Sequence, residues 1–296
     1  VHAVVRKAIE CGMDPVLAIK SATINTAREI GVSHIGAVAP GYTADMVLTK
    51  DIHTMWADAV FYGGKLVAEH GKLTVEIEDR EYEMETRNSM NAGNVSLDDF
   101  IVKAPVENGT VKVHVMEYHD LLQSMTRCAV EELEVKDNKV VLGEGMAFVA
   151  VINRHGKGTK ALGIVKNFGS SEGAIASTVS HDSHNLTIVY FKPEDALAAA
   201  KELIAKGGGM TAVKDGVVLN TLRLEVGGLM TRLNAEELTK EAARMKEVER
   251  GLGLTAQENP LLRIVSLALP VIPDVKMSDL GLVSVAEQKI IPLFTS

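Results

Sequence analysis

Apolar residues recur at helical spacing from the first residue (Val1, Val4, Val5, Ala8, Ile9), stop at Gly12, and resume behind Asp14 and Pro15. An N-cap aspartate followed by a first-turn proline predicts a second helix, with Val16, Ile19, Thr23, Ala27 and Ile30 on one packed stripe and Gly31 as its left-handed C-terminal cap. Over residues 35–76 the period shortens to β-prone runs at 45–49, 57–62 and 65–68, broken by Pro40, Gly41, Gly63 and Gly64, which predicts a small set of hairpins. In these hairpins Asp45 is expected to accept backbone hydrogen bonds at the start of its strand. Residues 77–94 are polar with little apolar period and read as a linker or surface crossing, with a domain boundary near 80–95. Alternation returns at 111–116, 129–135, 139–142 and 146–152, as in an antiparallel meander. Helices follow over 193–206 and after Asn234, where Glu237 completes a capping box ahead of Leu238 and Met245. The fold class expected is α+β with a mainly antiparallel sheet.

Charge removes some functions. Across 296 residues, 31 Lys and Arg stand against 39 Asp and Glu, a net charge of −8, and aromatics make up 4% of the chain. No basic stripe with interleaved aromatics exists, so a nucleic-acid platform is not expected. Cys11 and Cys128 are widely separated and make neither a disulfide framework nor a paired metal knuckle, which fits a reducing cytoplasm. No apolar run of about 18 residues and no secretory pattern is present, so no membrane partner is expected. The opening at Val1, already inside a periodic segment, reads as that of a fragment.

Chemistry gathers late in the chain. Six consecutive polar residues, Ser180 to Asn185, interrupt two apolar β-prone runs, which places them at a strand end or tight connection. His181 and His184 can donate, accept or ligate; Asp182 can orient an imidazole or take a proton; Ser183 and Asn185 can hydrogen-bond a planar polar ligand. A solvated turn, a self-satisfied polar network and a metal site using both imidazoles remain open beside a ligand-binding or catalytic role. Two histidines and one carboxylate are too few ligands to define a zinc site. Asn153 and Arg154 end a long apolar run at a turn, where Arg154 can pair with a carboxylate or cap a loop. His2, His34, His53, His70, His114 and His119 are isolated. The glycine cluster at 207–209 lacks the strand and Lys-Ser/Thr of a phosphate loop and reads as helix termination, and Gly227-Gly228 reads as a close backbone turn.

Two sets of motifs carry a family resemblance. The string "ATINTAREIG" followed by "GAVAPGYTADMVL" and "VFYGGKLVAEHGK" resembles the final barrel helix and following β-sandwich strands of the amidohydrolase superfamily. Farther on, "INRHG", "FGSSEGAIASTVSHDSHNL", "GGGMTAVKDGVVL", "VGGLM" and "LALPVIPDVKMSDLGLV" are similar, in order and spacing, to the C-terminal half of bacterial-type adenine deaminases. The resemblance covers nearly the full chain. It implies residues 1–31 as the last helices of a TIM barrel, 32–80 as part of a small β-sandwich and 81–296 as an α+β domain. It also implies hydrolysis of adenine to hypoxanthine and ammonia with a divalent metal (Mn, Fe or Zn) whose ligands lie upstream of Val1, so these residues alone are expected to be inactive. Under that reading His181, Asp182 and His184 are the catalytic candidates, Ser183, Asn185, Asn153 and Arg154 the substrate-binding ones, and none is a metal ligand. The partners implied are a small-molecule purine and other copies of the chain in a homo-oligomer. Another cyclic amide or amidine hydrolase of the superfamily, or a non-catalytic assembly module, is the alternative.

Overall fold

The computed structural model describes residues 1–78, 89–119 and 124–295. They fall into two compact units, Val1–Glu81 and Tyr82–Ser296. In the first unit, helix α1 spans His2–Glu10. Asp14 then accepts from the Leu17 amide at 3.0 Å and starts α2, Pro15–Lys20. The path continues without a break through a π turn, Ser21–Asn25, into α3, Thr26–Glu29. The expected single stripe fails here: Ala18 and Ala27 are buried, but Val16 and Ile30 are 55% and 66% exposed. A π turn holds more residues than an α turn and rotates everything after it, which takes Ile30 off the stripe; Val16 lies ahead of the turn and is exposed independently of it. Gly31 does take the left-handed conformation, with φ at +75°.

Strands β1 (Met46–Thr49), β2 (Ala57–Tyr62), β3 (Lys65–Glu69) and β4 (Lys72–Leu73) follow as an antiparallel sheet in that order. Gly63 and Gly64 both have positive φ between paired Tyr62 and Lys65, the backbone that a two-residue hairpin with right-handed twist needs. The Asp45 carboxylate accepts from the Gly63 amide at 2.7 Å, as its position predicts.

In the second unit the strands are β5 (Gly109–Tyr118), β6 (Thr126–Lys136), β7 (Lys139–Val140), β8 (Met146–Ile152), β9 (Lys160–Lys166), β10 (Ala174–Ser177), β11 (Leu186–Tyr190), β12 (Gly209–Lys214) and β13 (Val217–Arg223). They form one sheet in the order β13-β12-β10-β11-β8-β9-β5-β6-β7. Every pairing along it is antiparallel except β5 with β9, so the expected meander is broken at one parallel join. A late strand, β17 (Phe294–Thr295), pairs with β5, and β14 (Val275–Ser278), β15 (Gly281–Ser284) and β16 (Lys289–Ile291) make a separate small sheet. Helices α4 (Pro193–Lys206) and α5 (Ala235–Gly251) stand where the sequence pattern sets them. The Asn234 side chain accepts from the Glu236 and Glu237 amides at 3.0 Å, and Glu237 accepts from the Asn234 amide at 3.2 Å.

Burial on both faces explains the continuous apolar runs. Phe148, Ala150 and Ile152 of β8 pack with Ile188, Tyr190 and the α4 residues Ala196, Ala199 and Leu203, whereas Val149 and Val151 pack with Ile175, Met245 of α5, Leu267 and Met277. A central strand covered on both sides has no polar face to alternate with. Of the linker expected at 77–94, residues 79–88 lie outside those described. Residues 89–94 run along the surface, with Asn91, Gly93 and Asn94 exposed, yet Met90 and Ala92 are buried in the first of these clusters and the Asn91 amide bonds the Arg154 carbonyl at 2.9 Å. The two apolar positions within a polar string are too few to register as a period.

Ionisable groups are enclosed in the second cluster's layer, Glu249 and Lys276 among them. Glu249 of α5 has both carboxylate oxygens buried without a hydrogen-bond partner among the described residues, and burial pushes its pKa up to about 8. Lys276 of β14 donates to the Ser124 carbonyl at 2.6 Å and lies 5.7 Å from the Tyr118 ring; burial, with Arg263 adding to it, pulls its pKa down to about 8. The unfolded chain releases the Glu249 proton near 4.5 while the folded chain keeps it to about 8, so stability falls as pH rises through that window. Urea titrations from pH 5 to pH 7.5 are expected to show this group's share of the decline, at most about 1.4 kcal/mol per pH unit. Glu249→Gln should flatten that decline.

Candidate functional site

The sheet's register assembles the candidate residues. Strands β8 and β11 are antiparallel with Ile152 opposite Leu186, so one and two residues beyond the ladder Asn153 comes opposite Asn185 and Arg154 opposite His184. The two motifs, 30 residues apart in sequence, therefore meet: the Arg154 Nε donates to the His184 carbonyl. The two-residue alternation of β8 persists here, and the neighbouring side chains leave in opposite directions. Asn153 donates to the Asp279 carboxylate at 3.0 Å and accepts from the His155 and Lys157 amides at 2.9 and 3.2 Å. Asp279 also receives the Thr159 hydroxyl. Burial raises the Asp279 carboxyl, but the bonds from Thr159 and Asn153 outweigh it and hold the group below the usual carboxylate range.

Arg154 is 2% exposed and carries no carboxylate partner among the described residues. Besides the His184 carbonyl, its guanidinium donates to the Ser89 carbonyl and hydroxyl and, at 2.9 Å, to the Gly227 carbonyl. Gly228 lies against it: a Cβ there would stand 2.9 Å from Nη1, and its φ of +70° is itself costly for other residues. The turn at 226–230 is thus a cradle for a buried cation, a function that a glycine pair in the sequence does not reveal. Thr178 locks the cradle to the start of β12, donating to the Gly228 carbonyl at 2.6 Å and accepting from the Gly209 amide at 2.8 Å. The preceding Gly207 ends α4 in the left-handed conformation, as expected.

Over this floor runs the loop from Ser180 to Asn185. His181, Asp182 and Ser183 are exposed, His184 is partly buried, and Ser180 and Asn185 are buried. The loop is closed on itself by the His184 amide, which donates to the Ser180 carbonyl at 2.7 Å, and by the Ser180 amide, which donates to His184 Nδ1 at 3.3 Å. His184 pays for that closure with a φ of +50°. Beneath it the Ser180 and Thr187 hydroxyls bond at 2.7 Å. The rings of His181 and His184 meet edge to face, with centroids 5.1 Å apart. Burial, then His181 and Arg154, lower the His184 pKa against the opposing pull of Asp182. Asn185 Oδ1 is enclosed with no donor among the described residues. His155, next to Arg154 and not singled out from the sequence, donates from Nε2 to the Ser183 carbonyl at 2.8 Å and adds a third imidazole to this edge. Its only sequence signal was adjacency to Asn153 and Arg154.

The arrangement offers donors and acceptors on a held loop. It does not fit a metal: among the described residues no three His, Cys, Asp or Glu side chains come close enough to hold one. No helix among them is long and apolar enough to cross a membrane. Cavities of about 350 Å³ beside β17 and about 450 Å³ near Lys103 and Asn138 are lined by other residues, and His181, Asp182 and Ser183 are exposed at the loop's tip.

The chain carries a two-sided α+β sheet domain behind a segment, residues 2–67, that matches the amidohydrolase family. Over residues 123–289, more than half its length, it matches the adenine deaminase C-terminal domain family, and it belongs to that family. Among curated relatives it is 38% identical to the adenine deaminase of Moorella thermoacetica, covering 99% of this chain and 50% of that protein. It is 35% identical to that of Geobacillus kaustophilus (98% and 50%) and 38% identical to that of Halalkalibacterium halodurans (95% and 48%). The chain spans about half the length of these relatives.

Arg154→Met strands the three carbonyls and the Ser89 hydroxyl it serves, and is expected to lower unfolding free energy by about 3 kcal/mol or more. Gly228→Ala should cost about 1–3 kcal/mol through its backbone alone. Both are read from urea unfolding midpoints.

Proposed function

We propose that this chain works as the C-terminal portion of an adenine deaminase. In that reaction water supplies oxygen to the purine carbon that carries the amine, the carbon–nitrogen bond breaks, and hypoxanthine and ammonia leave. Residues 1–31 are read as the last helices of the barrel, 32–80 as a β-sandwich segment and 81–296 as the C-terminal domain. A divalent metal (Mn, Fe or Zn) belongs to this reading, with ligands in the half of the relatives' length that this chain does not span. The protein is read as a homo-oligomer.

One observation carries the role of the loop: the register that sets Arg154 and His155 against His184 and Ser183, which turns two separate motifs into a single braced polar edge. Sites built on rigid elements hold their geometry with less loss of freedom on binding. His181 and Asp182, exposed at the tip, are read as a proton-handling pair; His184, Ser183 and Asn185 as contacts to the planar ring; and Asn153 and Arg154 as the braces behind them.

The intact protein is expected to release ammonia from adenine. His181→Ala and Asp182→Ala should each reduce kcat/KM for adenine tenfold or more while leaving the unfolding midpoint in place. Ring opening of hydantoin or dihydroorotate without ammonia release from adenine would overturn the assignment. Unchanged turnover in all the loop variants would make the loop an assembly element instead.

A further inference from the structure

His184 cannot be a free-running proton carrier in this geometry. A backbone amide can only donate, so the Ser180 N–H directed at Nδ1 requires a lone pair there. A proton on Nδ1 would face that N–H, and the turn closed at both ends by Ser180 and His184 would have to open. The neutral ring therefore carries its proton on Nε2, an atom with no partner among the described residues. The charged groups around it act the same way. Arg154 is a buried cation bonded to the His184 carbonyl, His181 meets the ring edge, and His155 contributes from just past β8; among the described residues Asp182 is the carboxylate that opposes them.

We propose that His184 is a specificity residue, a fixed neutral donor whose Nε2–H is offered to an acceptor atom of the substrate, a ring nitrogen of an aminopurine, and that proton uptake at this edge falls to other groups. The proposal rests on the reading of the loop as part of the purine site and adds the direction of the hydrogen bond. Ser180 and Arg154 are positioning residues for it. The Ser180 amide selects the tautomer, and the Arg154 bond to the His184 carbonyl holds the backbone in its left-handed turn. A purine ring nitrogen that bears a lone pair complements this donor; a ring N–H at the same place does not.

Two readouts on the intact protein test this. In ¹⁵N spectra of histidine-labelled protein, His184 should be the neutral Nε2–H tautomer at pH 7 and should titrate below the ordinary histidine value. An Nδ1–H tautomer or an imidazolium at pH 7 overturns the proposal and leaves the reading of the loop standing. In kinetics with adenine, His184→Asn tolerates the left-handed backbone but lacks a donor at the Nε2 position, and should lower kcat/KM by about tenfold to a hundredfold. His184→Gln, whose amide reaches to that position, should lose markedly less. The acidic limb of the kcat/KM pH profile should stay in both variants, because His184 is not the group that titrates; its disappearance would make His184 the base and overturn the proposal. The expected spectrum together with wild-type kinetics in His184→Asn would remove the loop from the purine site, and the proposal with it.

Discussion

A buried guanidinium that has no carboxylate partner among the described residues organises this end of the molecule. Desolvating a cation is expensive unless each of its protons finds an acceptor, and the sheet meets that demand for Arg154 with carbonyls from three segments that are remote in sequence: Ser89, His184 and Gly227. Arginine suits the position because its planar fork fixes several donors at once and keeps its charge when buried. The glycine pair at 227–228 allows the backbone to come that close. Removing the cation would free the strand end, the loop and the turn together, so their geometry is one property rather than three.

That constraint is effective because the sheet beneath it is stiff. β8 and β11 are buried on both faces, between α4 on one side and α5 with the small β14–β16 sheet on the other. Side chains just past such strands inherit positions set by ladder hydrogen bonds and core packing. Polar groups accumulate at this edge in layers: hydroxyls of Thr178, Ser180 and Thr187 below, Arg154 and Asn153 in the middle, and His155, His181, Asp182 and Ser183 exposed above. Among the ionisable groups of the edge, one arginine and three imidazoles stand against Asp182, with Asp279 engaged on the opposite side by Asn153 and Thr159. The local field thus favours a neutral His184 and electron-rich ligands even though the chain as a whole carries a charge of −8.

Local signals in the chain were read well where one residue's own chemistry settles the matter. The Asp14 and Asn234 caps, the Gly31 and Gly207 terminations, the Gly63-Gly64 hairpin and the Asp45 acceptor all depend on contacts within a few residues or across one tight turn. The misreadings have equally local causes. The π turn at 21–25 broke a period that assumed 3.6 residues throughout, and the polar string ending at residue 94 hid Met90 and Ala92, whose burial depends on a sheet that no window of sequence contains. His155 went unnoticed because its adjacency to Asn153 and Arg154 does not reveal its partner, the Ser183 carbonyl, 28 residues away.

Residue order alone settled the α+β class, the approximate bounds of the strands and helices it delimited, the family resemblance and the polar string at 180–185 as a strand connection, because periodicity, caps and turn residues act over a few positions. Which polar residues stand together was decided by strand pairing: register brings Arg154 to His184, and packing brings Gly228 and Ser89 to the guanidinium. Those contacts span gaps of 30 to 73 residues. The reason is physical. A backbone hydrogen-bond ladder and a buried charge satisfy themselves through space, and the partners they recruit leave no periodic trace along the chain.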